Sequence, residues 1–106
     1  IEHILSTLID NAIKHTEAGN DVIVELSKEK NELIIQVKNK GKEIPEEERE
    51  KIFERFYRID KSRNRNEKRY GLGLAIAKST VKKYNGNIKV LYKDGFTIFK
   101  VNLQIQ

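Results

Sequence analysis

Apolar residues recur at helical spacing through the first sixteen positions, as Ile1, Ile4, Leu5, Leu8 and Ala12. One face of a helix has this period, so a helix is predicted over residues 1–16. The rhythm then changes. Residues 21–27 (DVIVELS) and 33–38 (LIIQVK) are rich in β-branched side chains and predict two strands, with KEKNE between them as a hairpin loop. Pro45 suits the first turn of a short helix, and Glu46, Glu47 and Glu48 favour its N-terminal dipole. From Phe56 to Tyr70 the pattern dissolves into Arg, Lys, Asn and Ser, which predicts a long mobile loop. A second helix is predicted over residues 72–84, with Leu74, Ala77, Lys78 and Val81 along one side and YNGN as its stop. Two strands close the chain, NIKVLY and FTIFKVNLQI, joined at the hairpin dipeptide Asp94-Gly95. Phe99, Val101, Leu103 and Ile105 alternate with Lys100, Asn102 and Gln104, so one face of this sheet is covered and the other wet.

The order helix, hairpin, helix, loop, helix, hairpin predicts an α+β two-layer sandwich, with a mixed, mostly antiparallel sheet covered on one face by helices. The 106 residues suffice for one domain with a modest core. No apolar run approaches membrane-spanning length. With no cysteine and only His3 and His15, disulfides, thiolate metal sites and a histidine-rich zinc site are excluded. The net charge is +5, and Glu54 to Tyr70 alone holds seven Lys/Arg against three Asp/Glu. Such a cluster suits an anionic partner or a solvated loop.

Three places carry candidate chemistry. Thr7, Asn11, Lys14 and His15 form a polar stripe beside the apolar face of the first helix. A buried Asn11 either caps neighbouring backbone or offers its carbonyl oxygen to Mg²⁺, with Lys14 meeting phosphate as a point charge. In VKNKGKEIP, Asn39 and Gly41 form either a common turn or a strand end that reads an adenine amino group. In YGLGLAIAK, Gly71 and Gly73 stand at a helix entrance, where glycine costs about 1 kcal/mol relative to alanine but lets an anion approach bare backbone N–H groups. A Walker-type phosphate loop is absent, and a loop rather than a strand precedes these glycines, which removes a Rossmann reading.

Taken together, TLIDNAIKHT, NKGKEIP, IFERFYRIDKSR and YGLGLAIAK, in this order and spacing, resemble the ATP-binding catalytic domain of two-component sensor histidine kinases. They look like its N box, first glycine box, F box and second glycine box, in the superfamily of Bergerat-fold ATPases. The resemblance implies one domain over residues 1–106 with an ATP lid at about 54–72. It implies that Asn11 holds Mg²⁺ and that Lys14 and His15 flank the phosphates. Asn39 would read adenine beside Gly41, with Ile44 as a wall of the base pocket and Thr97 near the base. Phe53, Phe56 and Tyr57 would root the lid, Lys61 and Arg63 would reach phosphate, and Gly71, Leu72, Gly73 and Leu74 would form the second glycine box.

The implied activity is transfer of the γ-phosphoryl group of Mg-ATP to a histidine on a separate dimerisation domain, with no catalytic residue here beyond those that position ATP. Implied partners are that domain and a downstream response regulator, with no nucleic acid. The implied setting is cytoplasmic, within a homodimeric full-length protein that has scope for membrane attachment. Neither a phosphoacceptor segment nor the strand and helix that usually precede the N box is in the sequence, so it reads as an N-terminally truncated fragment. Departures from the pattern are Thr7 for a usual Asn, Asn39 for the usual Asp, Glu43 for the second glycine of its box, and Arg69 for a glycine. They motivate a non-catalytic nucleotide-binding module as the alternative, and the basic loop motivates a remoter nucleic-acid-binding one.

Overall fold

The computed structural model describes residues 2–54 and 73–105. The expected segment between them, including the proposed lid with Phe56, Tyr57, Lys61, Arg63, Gly71 and Leu72, lies outside the described residues. Helix α1 spans Glu2–His15, strand β1 Val22–Glu29, β2 Glu32–Lys40, helix α2 Gly73–Lys83, β3 Asn87–Lys93 and β4 Phe96–Gln104. The short helix expected after Pro45 is two 3-10 turns, Glu46–Glu48 and Lys51–Phe53. The strands of the first hairpin run closer together than KEKNE suggests, because Lys30 takes a left-handed φ of 53° and tightens the turn.

The four strands lie in the order β1-β2-β4-β3, and every pair is antiparallel. Each outer pair is a local hairpin; the central β2–β4 pairing joins them. Alternation then sorts the side chains. Leu33, Ile35, Val37 and Asn39 of β2 stand opposite Leu103, Val101, Phe99 and Thr97 of β4, on the face that carries the helices. Ile4, Leu8 and Ala12 of α1 and Leu74, Ala77 and Val81 of α2 fill the same core. Burying each such aliphatic side chain beyond alanine stabilises by about 1.5–3 kcal/mol. The other face is less wet than the alternation predicts, since Ile34 and Ile98 on it are buried as well.

α2 ends in a Schellman arrangement. Gly86 N–H donates to the Val81 carbonyl at 2.9 Å and Asn85 N–H to that of Lys82 at 3.1 Å. The left-handed position is Asn85, at φ 58°, and not the glycine that the sequence pattern singled out. Gly86 meets a second need as well, the close approach of α2 to the Asn102 carbonyl of β4.

The core is lopsided. Val24 and Leu26 of β1 share the helix-bearing face but remain exposed, Leu26 at 61%, as is Ile13 on α1 at 59%. α1 therefore shelters β2 rather than the length of β1.

Candidate functional site

The C-terminal end of α1, the end of β2 and the start of β4 converge. Glu17 N–H donates to the Lys40 carbonyl at 2.9 Å, which fastens the exit of α1 to β2. Gly41 follows, and a side-chain carbon there would lie 3.3 Å from the His15 carbonyl oxygen. Glycine thus permits the close approach of the two chain segments. On its other side Gly41 is held by the second hairpin: its N–H donates to the Gly95 carbonyl at 3.4 Å and its own carbonyl accepts from the Tyr92 hydroxyl at 3.2 Å.

These ties leave a cavity of about 400 Å³ lined by residues that include His15, Thr16, Asn39, Lys42, Thr97 and Phe99. That volume lies in the range of small-molecule and cofactor sites. Its polar interior is specific. Asn39 and Thr97 are the buried polar side chains among the described residues, 2% and 5% exposed, and they are partners across β2 and β4. The Thr97 hydroxyl donates to the Lys42 carbonyl at 3.4 Å. Ile44 and Phe99 give the cavity apolar walls. Its rim is braced by Arg49, whose Nε donates to the Ile44 carbonyl at 2.9 Å and whose Nη2 donates to Glu43 Oε2 at 2.8 Å.

Of the residues singled out from the sequence, His15, Asn39, Gly41, Ile44 and Thr97 line this one cavity. Asn11 lies a turn before His15 on α1, and its Nδ2 is buried with no hydrogen-bond partner among the described residues. Lys14 is exposed next to it. Gly73 opens α2 against α1, with the Thr7 methyl 3.4 Å from where a side-chain carbon would stand, so ordinary packing and not a steric demand surrounds it here. Leu74 is fully enclosed in the core, which leaves only its backbone for a ligand. Phe53 also packs in the core, with its ring 6.1 Å from that of Phe99 and nearly perpendicular, so it supports a wall of the cavity from behind.

Among the cavity-lining residues that sequence reasoning missed, along with Glu17 and Lys42, is Thr16. Its Oγ1 is buried with no partner among the described residues, and the residue borders the cavity. The signal was its position directly after the polar stripe of α1.

An amide oxygen is a suitable hard donor for Mg²⁺, which keeps several waters and leans on substrate phosphates. Asn11 carries such an oxygen one turn before the cavity-lining His15, while the atom it leaves without a partner is the donor Nδ2. Among the described residues no group of three His, Asp or Glu side chains is placed to hold a metal by itself. No helix of the described residues is long and apolar enough to cross a membrane.

A family model for the histidine kinase-, DNA gyrase B-, and HSP90-like ATPases matches residues 1–106. Sensor protein CiaH of Streptococcus pneumoniae is 37% identical over 107 aligned positions, which cover all of this chain and 24% of CiaH. The chain thus spans about a quarter of that relative's length. Among solved structures, the mycobacterial sensor histidine kinase MprB superposes with a TM-score of 0.82 at 30% identity, over 96% of this chain and 68% of that one. Full-length ShkA, solved in complex with AMPPNP, superposes with a TM-score of 0.79 at 27% identity, over 95% of this chain and 20% of that one.

Proposed function

This chain belongs to the histidine kinase-, DNA gyrase B-, and HSP90-like ATPase family, within which its relatives and structural neighbours are sensor histidine kinases, and from that premise we infer that its cavity binds the base of Mg-ATP for phosphoryl transfer to histidine. The observation that carries the reading is the pair Asn39 and Thr97, buried polar groups opposed across two strands and both opening on one cavity. Buried polar groups are costly unless they meet partners, and the exocyclic amino group and ring nitrogens of adenine provide them. Ile44 and Phe99 offer apolar surface to the faces of the ring. The AMPPNP held by ShkA is in keeping with an adenine nucleotide.

From the base, the phosphates run toward Asn11 and Lys14. Asn11 would hold Mg²⁺ through its amide oxygen, and Lys14 would offer positive charge. The cation, when bound, neutralises phosphate charge as the γ-phosphoryl group departs. The basic excess of residues 54–70 has the sign a triphosphate attracts. Transfer of this kind is mostly positioning and charge stabilisation, so these residues need no general base among them. The acceptor is a histidine on a separate dimerisation domain, and a response regulator is the next recipient in two-component signalling.

The test is calorimetric titration of Mg-ATP into the protein and its Asn11→Ala variant, with circular dichroism as the folding control. Magnesium-dependent binding that weakens in the variant is expected; no binding by folded wild-type protein would overturn the reading. A second reading, a nucleotide-sensing module without transfer, is favoured by one observation: Glu43, where the resemblance expects a glycine, is locked to Arg49. Adding a histidine-bearing dimerisation domain with labelled ATP separates the two, since the sensing module would bind ATP and leave that domain unlabelled.

A further inference from the structure

The base end of the cavity is read by an amide, not a carboxylate, and this changes what it selects. Asn39 carries one acceptor and two donors on the same planar group, whereas an ionised aspartate only accepts. The Watson–Crick edge of adenine presents a 6-amino donor beside an N1 acceptor. That of guanine or hypoxanthine presents the reverse, a 6-oxo acceptor beside an N1–H donor. A carboxylate in this place meets the first with one good hydrogen bond and repels the 6-oxo group of the second. An amide satisfies either by turning over about its terminal bond.

The surroundings of Asn39 do not oppose that turn. Among the described residues no hydrogen bond fixes the Asn39 amide, and the hydroxyl of its cross-strand partner Thr97 spends its one proton on the Lys42 carbonyl. Gly41 places no side-chain carbon against the amide nitrogen, which lies 3.4 Å from where one would stand. The nearby Glu43 carboxylate is held by Arg49 at 2.8 Å, so it is engaged at the rim. Lys42 and Glu17 also line the cavity, and neither is hydrogen-bonded to the Asn39 amide.

Resting on the nucleotide-site reading above, we propose that Asn39 makes the site ambivalent toward the 6-position of the purine, so that it takes 6-oxo purine triphosphates as well as ATP. Discrimination by hydrogen bonding is strong only where the wrong partner leaves a buried polar group unpaired. Here neither base does so.

Binding of Mg²⁺ complexes of ATP, GTP and ITP to the protein, measured by calorimetry, tests this. Dissociation constants within about tenfold of one another are expected, the span of a single weak hydrogen bond. ITP lacks the 2-amino group of GTP, so it isolates the 6-position from crowding at the 2-position. Both 6-oxo nucleotides binding over a hundredfold more weakly than ATP would overturn the proposal and leave the ATP site standing. No binding of any of the three by folded protein would overturn both. In Asn39→Asp, ATP is expected to persist while GTP and ITP weaken by a further tenfold or more; an unchanged ratio would assign selectivity elsewhere and sink the proposal. The wild-type ratios decide the matter even where this variant fails to fold.

Discussion

Gly86 sits so close to the Asn102 carbonyl that a side-chain carbon on it would overlap that oxygen. The same carbon would press on Leu103 and Val81, at 2.9 and 3.0 Å. The end of α2 is therefore packed onto β4 through bare backbone. Gly86→Ala is expected to destabilise the fold by about 1–3 kcal/mol, the usual cost of overpacking. Chemical denaturation would show a lower midpoint with unchanged slope; an unchanged midpoint would mean that the backbone yields freely there.

Thr16 offers the opposite sign. Its buried hydroxyl has no partner among the described residues, an arrangement that costs folding about 1–3 kcal/mol. Thr16→Val is expected to raise the thermal midpoint and, because Thr16 borders the cavity, to alter nucleotide affinity. A variant that gains stability and keeps full affinity would remove Thr16 from the site.

Arg49 braces the rim through one main-chain and one side-chain acceptor. Glu43 is more than half exposed, so the ion pair itself contributes little. Arg49→Ala is expected to cost about 1 kcal/mol, chiefly from the lost bond to the Ile44 carbonyl. It is also expected to lower nucleotide affinity, whereas Glu43→Gln leaves both nearly unchanged. Equal losses in the two variants would show that the ion pair, and not the main-chain bond, holds the rim.

Leu26 projects from β1 largely into water. Leu26→Lys is expected to change stability by no more than about 0.5 kcal/mol, as for other surface positions. Light scattering should register less self-association, because a charge then interrupts the exposed apolar stripe that Leu26 forms with Val24 on β1. A large loss of stability would mean that Leu26 is covered in solution.

The two helices and both hairpins were legible because each leaves a local period or a turn dipeptide in the chain. Asp94-Gly95 does turn as written, with φ of 55° and 86°. The alternation in β4 foretold that Phe99, Val101 and Leu103 would face the helices. What local pattern cannot carry is which hairpin lies beside which. The pairing of Asn39 with Thr97 follows from the register of β2 on β4, two strands far apart in sequence. Thr97 accordingly had only a loose motif to recommend it. Thr16 left no mark because one hydroxyl at a helix end has no period. Gly86 was read as a helix stop and does close the last turn on the Val81 carbonyl, but its contact with another strand left no mark, since a glycine looks the same in sequence whatever demands it. Phe56, Tyr57, Lys61, Arg63, Gly71 and Leu72 stand on sequence alone.

The central seam between β2 and β4 has a kinetic consequence. Each hairpin closes over a few residues, but their union closes a far longer loop and is the slow, non-local step of folding. Asn39 and Thr97 stand on opposite sides of that seam, as do Gly41 and Gly95. The cavity therefore comes into being only when the last pairing is made. A nucleotide has nothing to hold on the early species, so it should retard unfolding and leave the refolding rate alone.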